Sequence, residues 1–132
     1  MAGYSGTPLP KKLGIKENFR TMLVGMPASV RKELKSALAA CKEEKRALDF
    51  AMLFVTRQSE LKQQFLRVAN QLAPAGMLWV SWPKKSSGVA SDLDENLVRN
   101  IGLAAGLVDV KVCAVDEVWS GLKFVIRVKD RM

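Results

Sequence analysis

Residues 50–82, FAMLFVTRQSELKQQFLRVANQLAPAGMLWVSW, contain a continuously apolar run at 50–55 and a second run at 77–82 that is apolar except for Ser81. Such runs are typical of strands that are covered on both faces of a parallel sheet. Between the runs, apolar residues recur at helical spacing. They are Leu61, Phe65, Val68 and Leu72. Ser59 is the predicted N-cap of this helix, and a proline and a glycine before the second run are predicted to end it. The stretch therefore predicts a strand–helix–strand unit with a right-handed crossover.

The same alternation extends toward the N-terminus. Residues 19–24 form an apolar run that ends at Gly25, which predicts another buried strand. An amphipathic helix is predicted from Ser29 onward, because apolar residues again recur at helical spacing. They are Val30, Leu34, Ala37, Leu38 and Cys41. The polar stretch KEEKR at 42–46 is interpreted as a solvated helix end or loop.

The C-terminal part combines one more helix with a change of period. Asp92 with Glu95 three residues later predicts a capped helix start, and Gly106 is predicted to close that helix. Apolar and polar residues then alternate over 108–114 and 122–128. Period two on both sides of a short loop, 116–121, predicts an antiparallel hairpin at a sheet edge.

A short helix is predicted before the first strand. Thr7 is the predicted N-cap, Pro8 lies in the first turn and Gly14 is the predicted stop. We therefore expect one α/β domain over 1–132, in which residues 1–16 form an N-terminal arm with a short helix and residues 17–132 form the sheet and its covering helices. The predicted architecture is a three-layer Rossmann-like sandwich, mostly parallel, with a C-terminal antiparallel hairpin.

Composition restricts the chemistry. Of the 132 residues 48% are hydrophobic, which is enough for a core, and no apolar run approaches the roughly 20 residues that span a bilayer. The start lacks a secretory pattern, so we expect a cytoplasmic protein without a membrane partner. There is no histidine, and the two cysteines form no CxxC pair, so no metal site, disulfide framework or histidine-based triad is predicted. The formal charge of +8 favours acidic partners.

The candidate ligand site follows from the topology, because ligands of open α/β sheets bind beyond the carboxyl ends of the parallel strands. The loop WPKKSSG after the third strand, the acidic hairpin loop and the glycine-containing N-terminal arm are predicted to share that rim. The predicted ligand-binding residues are Tyr4, Ser5, Gly6, Thr7, Trp82, Lys84, Lys85, Ser87, Gly88, Asp116, Glu117 and Trp119. In the loop after the first strand, Gly25 stands alone, so a glycine-rich cofactor loop is absent and no cofactor is assigned.

Three functions remain open at this point. The first is a non-catalytic module that holds a small anionic ligand or a protein partner at the rim. The second is an enzyme in which Asp116 or Glu117 takes a proton and Lys84 or Lys85 stabilises negative charge. The third, direct nucleic-acid binding, draws only on the net charge and has no motif behind it, so nucleic acid is the least favoured partner.

Three motifs carry a resemblance to a known family. They are GYSGTPLPKKLGIK, LWVSWPKKSSGV and GLVDVKVCAVDEVWSGLKFVIR, at 3–16, 78–89 and 106–127. With these motifs the chain resembles the small bacterial proteins catalogued as domain of unknown function three-zero-five-two. The resemblance implies a trimmed S-adenosylmethionine methyltransferase fold and no particular activity. It also implies that KEEKR stands where such a fold has a strand with a ribose-binding carboxylate.

Overall fold

The computed structural model describes residues 6–131. Along that part of the chain the elements are α1 (Leu9–Leu13), β1 (Arg20–Val24), α2 (Ala28–Glu33), α3 (Lys35–Ala39), β2 (Lys42–Glu43), β3 (Leu48–Phe54), α4 (Gln58–Ala69), β4 (Leu72–Pro83), α5 (Glu95–Ala104), β5 (Leu107–Ala114) and β6 (Trp119–Ile126). None of the helices in residues 6–131 has the length and apolarity needed to cross a membrane.

The strands form one sheet in the order β2–β1–β3–β4–β6–β5. Strands β2, β1, β3 and β4 run parallel, while β6 is antiparallel to both β4 and β5. The predicted mostly parallel sheet with a C-terminal hairpin is therefore confirmed, and the hairpin places β5 at one edge. The carboxyl ends of β1, β3 and β4 lie at the same end of the sheet.

Helices cover both faces of the sheet. Alternation along β4 places Leu78, Val80 and Trp82 on the face covered by α4 and α5, and Trp79 on the opposite face. We call the first the α4/α5 face and the second the α1 face, because α1 and α2 pack there. The Trp79 indole Nε1 donates a buried hydrogen bond of 2.9 Å to the carbonyl of Leu13. This bond and the packing of Trp79 dock α1 on the sheet.

The interpretation of KEEKR as a helix end or loop is wrong for its first two residues. They form β2, which pairs in parallel with β1. The Lys42 amide donates to the Phe19 carbonyl at 2.9 Å and the Glu44 amide to the Thr21 carbonyl at 3.0 Å. The otherwise free edge of β1 supplies these partners, so a strand forms in a stretch without apolar periodicity. The strand that the family resemblance implies at this position is present, although it is very short.

Helix boundaries differ from the predictions at several positions. The helix expected from Ser29 is divided into α2 and α3 at Leu34, whose φ of −93° and ψ of 3° leave the helical range. The N-cap of α1 is Pro8, without a side-chain cap, rather than Thr7. Helix α4 begins at Gln58, so Ser59 lies inside it. The Glu60 carboxylate accepts from the Arg57 amide, just before the helix, and this bond fixes the N-cap two residues earlier than expected.

Two further predictions fail near α5 and β4. The N-cap of α5 is Asp94, which accepts from the Leu97 amide at 2.9 Å. Asp92, the expected cap, instead accepts from the Gln58 amide at 2.8 Å, at the start of α4. Strand β4 begins at Leu72, before the proline and glycine that were expected to separate helix and strand. A Cβ at Gly76 would clash with the Leu48 carbonyl, so glycine permits close approach of β3 there.

Candidate functional site

The structure brings two parts of the predicted rim together at the carboxyl end of β4. Pro83 lies opposite Trp119 in the β4–β6 register. Beyond that pair, the Lys84 amide donates to the Val118 carbonyl at 2.7 Å. The loop 84–88 and the hairpin loop 115–118 are therefore neighbours, as the topology predicted.

The polar side chains of this rim bond backbone groups of the two loops, and one of them, Lys84, reaches from one loop to the other. The Lys84 ammonium donates to the Asp116 carbonyl at 2.7 Å. The Asp116 carboxylate accepts from the amides of Val118 and Trp119, both at 2.8 Å. The Ser87 hydroxyl donates to the Lys84 carbonyl at 2.6 Å. Three of the predicted ligand-binding side chains thus have partners within the protein, and these partners explain their presence without a ligand.

The remaining rim residues divide into packed and exposed ones. The Trp119 ring meets Phe54 edge to face, with ring centroids 5.1 Å apart, and Trp82 is buried on the α4/α5 face. Lys85, Gly88 and Glu117 are exposed. The two tryptophans therefore contribute to the core and its border.

We expect Asp116→Ala to lower the free energy of unfolding by about 1.5 kcal/mol, because two backbone amides of the hairpin lose a charged acceptor. Chemical denaturation measures this change. The matched control is Glu117→Ala, since Glu117 is the adjacent carboxylate and is exposed; that variant should stay within about 0.5 kcal/mol of the parent. Equal stability of the two variants would contradict the bracing role of Asp116.

The N-terminal part of the predicted site lies elsewhere. Tyr4 and Ser5 fall outside the described residues, so their expected place on the rim stays a prediction. Gly6 is exposed, and Thr7 lines a groove of about 530 Å³ between α1 and β5. Ala114, in that groove, lies opposite Ser120 of β6, and Ser120 lies opposite Trp82 of β4. Two strand spacings, or about 10 Å, therefore separate the groove from the end of β4.

The loop after β1 is closed by its own residues. Gly25 has a φ of 70°, and a Cβ there would lie 2.9 Å from the Phe54 carbonyl. The close contact with β3 therefore accounts for a glycine at this position. Met26 packs into the core of the α1 face. Pro27, the N-cap of α2, has no amide hydrogen to offer. This loop provides no cradle into which a ligand's charged group would fit.

A second cavity, not predicted from the sequence, lies beside β1 at the other edge of the sheet. Its volume is about 700 Å³, and it exists because β2 ends at Glu43 while β1 continues. We call it the β1 cleft. Its lining residues are Arg20, Thr21, Met22, Leu23, Glu43, Glu44, Lys45 and Arg46.

The β1 cleft combines apolar surface, charged side chains and unpaired backbone. The Thr21 carbonyl accepts from the Glu44 amide, on the β2 side of β1. Backbone groups of residues two apart in a strand point to the same side, so the amide and carbonyl of Leu23 also face the β2 side. Within residues 6–131 no strand residue lies opposite Leu23 on that side. Glu43 and Glu44 are exposed acceptors, and the Glu43 carboxylate lies 4.0 Å from Arg31 in a solvent-exposed pair. The sequence signal for this site was the KEEKR stretch.

Comparisons with known proteins identify the fold. No protein-family model and no curated protein matches the chain. Among solved structures, it is similar to a SAM-dependent methyltransferase from Aquifex aeolicus, with a TM-score of 0.61 and 18% identity over 89% of this chain and 87% of that one. It is also similar to a putative type 11 methyltransferase from Sulfolobus solfataricus, with a TM-score of 0.60 and 13% identity over 94% and 92% of the two chains.

A third similar structure is that of an enzyme from Synechocystis PCC 6803. It is magnesium protoporphyrin IX methyltransferase from Synechocystis PCC 6803 with bound SAH, with a TM-score of 0.60 and 10% identity over 89% of this chain and 78% of that one. These likenesses show that the chain has the methyltransferase-like Rossmann fold. The resemblance to the domain of unknown function stays a prediction.

The residues present fit an S-adenosyl cofactor only in part. The carboxylates of Glu43, the last residue of β2, and of Glu44, the residue after it, suit the hydroxyls of a ribose. The loop after β1 does not suit the charged amino-acid end of the cofactor, because it is filled by Met26, Pro27 and the contact of Gly25 with β3. The β1 cleft and that loop also have no lining residue in common. We therefore derive no methyl-transfer step from this chain.

Proposed function

We propose that this chain is a small-molecule binding domain that takes a ribonucleoside-type ligand, with a vicinal diol and a flat polar ring, in the β1 cleft. The observation that carries the proposal is the pair Glu43–Glu44 beside the free edge of β1. This retains the binding function proposed from the sequence but moves the ligand from the rim at 84–88 to the opposite part of the sheet.

Each part of such a ligand has a partner in the cleft. The carboxylate oxygens of Glu43 and Glu44 accept hydrogen bonds from the two hydroxyls of the diol. The free amide and carbonyl of Leu23 offer one donor and one acceptor to the edge of a heteroaromatic ring. Met22 and Leu23, which are half-buried, supply apolar contact to the ring face. The volume of about 700 Å³ lies in the range of small-molecule sites.

Calorimetric titration with adenosine and with 2′-deoxyadenosine tests the proposal. We expect adenosine to bind and 2′-deoxyadenosine to bind at least about tenfold more weakly, because a charged acceptor loses its hydroxyl partner. The double variant Glu43→Gln/Glu44→Gln should weaken adenosine binding by at least the same factor. The control Glu17→Gln/Glu33→Gln changes the charge equally at exposed positions outside the cleft and should leave adenosine binding unchanged.

Two outcomes would overturn the proposal. One is the absence of adenosine binding at millimolar concentration, and the other is an equal loss in both double variants. Incubation with S-adenosylmethionine separates binding from catalysis. If a small-molecule extract is added as the source of methyl acceptors, methylation of one of its components with formation of S-adenosylhomocysteine by the parent protein, and not by Glu43→Gln/Glu44→Gln, would replace the binding function by methyl transfer.

A further inference from the structure

Lysine side chains line the groove between α1 and β5. We call it the α1/β5 groove; its lining residues are Thr7, Lys11, Lys12, Lys111, Val112, Cys113 and Ala114. Strand β5 is the opposite sheet edge from β2, five strand spacings or about 24 Å away, so the groove is separate from the β1 cleft. No acidic side chain is among its lining residues in the described part of the chain.

Two of these lysines are held in place by bonds that cross the groove. The Lys12 ammonium donates to the Ala114 carbonyl at 3.1 Å. The Lys111 ammonium donates in return to the Lys12 carbonyl at 3.0 Å. Both ammonium groups are therefore positioned by hydrogen bonds between α1 and β5.

A fourth lysine, Lys123, adds like charge beside the groove. Lys111 and Lys123 are directly opposite each other on β5 and β6, an arrangement that is unfavourable for two cations. Burial lowers the pKa of Lys123 below its usual value, and the charge of Lys111 lowers this pKa further. Burial raises the pKa of Cys113 between them, while Lys12 and Lys111 act in the opposite direction.

Three of these lysines, Lys11, Lys111 and Lys123, form no ion pair in the part of the chain that the structure describes. Among residues 6–131, the ion pairs are Arg31–Glu43, Arg99–Glu95 and Arg99–Asp109, and none of them includes Lys11, Lys111 or Lys123. The like charges of Lys111 and Lys123 on neighbouring strands therefore lower stability, and a bound anion would offset this repulsion.

We infer that the α1/β5 groove binds a small phosphate-type anion that carries at least two negative charges. Lysine ammonium groups bind phosphate oxygens as point charges, and the Thr7 hydroxyl adds a neutral donor. A concave groove of about 530 Å³ admits a pyrophosphate or a phosphomonoester between α1 and β5. The inference does not depend on the nucleoside proposed for the β1 cleft.

Titration with inorganic pyrophosphate in a phosphate-free, low-salt buffer tests the inference. We expect Lys111→Met/Lys123→Met to weaken pyrophosphate binding by at least about tenfold, because one ammonium group that lines the groove and the positive charge beside it are lost. The matched control is Lys32→Met/Lys35→Met, which removes the same charge from exposed positions on α2 and α3 and should change the dissociation constant less than about threefold. Without anion, Lys111→Met/Lys123→Met should also unfold at a higher temperature than the control.

The single variant Lys123→Met keeps the test valid if loss of the Lys111 bond displaces α1. The Lys123 side chain makes no hydrogen bond within residues 6–131, and its backbone pairing in β6 does not depend on the ammonium group, so this variant should fold and still bind pyrophosphate several-fold more weakly. Equal loss in the two double variants, or no pyrophosphate binding at millimolar concentration, would overturn the inference. Binding of short single-stranded DNA with a steep salt dependence, together with failure of pyrophosphate, would also overturn it, because the partner would then be a nucleic acid.

Discussion

Trp79→Ala is expected to lower the free energy of unfolding by about 3–5 kcal/mol. The Trp79 side chain is fully buried on the α1 face, where it packs with Leu9 and Leu13 of α1 and with Phe50 of β3. Truncation leaves a large cavity. It also removes the indole donor to the carbonyl of Leu13, which is the last residue of α1. Denaturant unfolding followed by circular dichroism measures the loss, and hydrogen exchange at Leu13 and Gly14 reports whether α1 has left the sheet.

The variant Trp79→Phe separates the hydrogen bond from the packing. It keeps an aromatic ring and leaves the Leu13 carbonyl unpaired, which costs about 1–3 kcal/mol in addition to the smaller ring. The control is Trp82→Phe, because Trp82 is also buried in β4 but lies on the α4/α5 face away from α1. Faster hydrogen exchange in α1 for Trp79→Phe but not for Trp82→Phe is the expected pattern. Equal exchange in both variants would show that α1 is held by other contacts.

The main strands are predictable from the sequence because burial on both faces requires apolar runs. This holds for β3 and β4, while β1 is only half-buried and is indicated by the shorter apolar run at its carboxyl end. The period-two pattern likewise identifies β5 and β6. Strand β2 is different, since its Lys42 and Glu43 side chains are exposed and its pairing depends on a free edge of β1. A two-residue strand at a sheet edge has no side-chain pattern of its own, so the KEEKR stretch was interpreted as a loop.

The candidate sites show the same division between local pattern and long-range contact. Topology correctly brings loop 84–88 to the hairpin. Residue type does not reveal that the Lys84 ammonium donates to the Asp116 carbonyl, or that the Asp116 carboxylate accepts from a backbone amide of its own loop. The α1/β5 groove joins Lys12 to Lys111, which are 99 residues apart. Nothing in the spacing of lysines along the chain indicates such a cluster. The β1 cleft likewise follows from where β2 ends, which is set by pairing rather than by propensity.

Gly102→Ala is expected to lower the free energy of unfolding by about 2 kcal/mol, although alanine is the better helix former. Gly102 lies in α5 where this helix crosses β6, and a Cβ there would overlap Cε1 of Phe124 and lie 2.5 Å from its Cζ. Phe124 is fully buried and meets Phe65 edge to face, so its ring has little room to retreat. Overpacking costs about 1–3 kcal/mol or more and exceeds the gain of about 1 kcal/mol in helix propensity.

The sign of that change is decided by contact rather than by propensity, and two variants separate the causes. Asn100→Ala, at an exposed position of the same helix, should stabilise the protein by about 0.5 kcal/mol, because only propensity acts there. Phe124→Leu removes the ring edge that a Cβ at position 102 would meet. In a double-mutant cycle, Gly102→Ala should therefore cost at least about 1 kcal/mol less beside Phe124→Leu than in the parent. Additive costs would mean that α5 moves as a whole to admit the methyl group, and that the close approach of α5 to β6 is not fixed by Gly102.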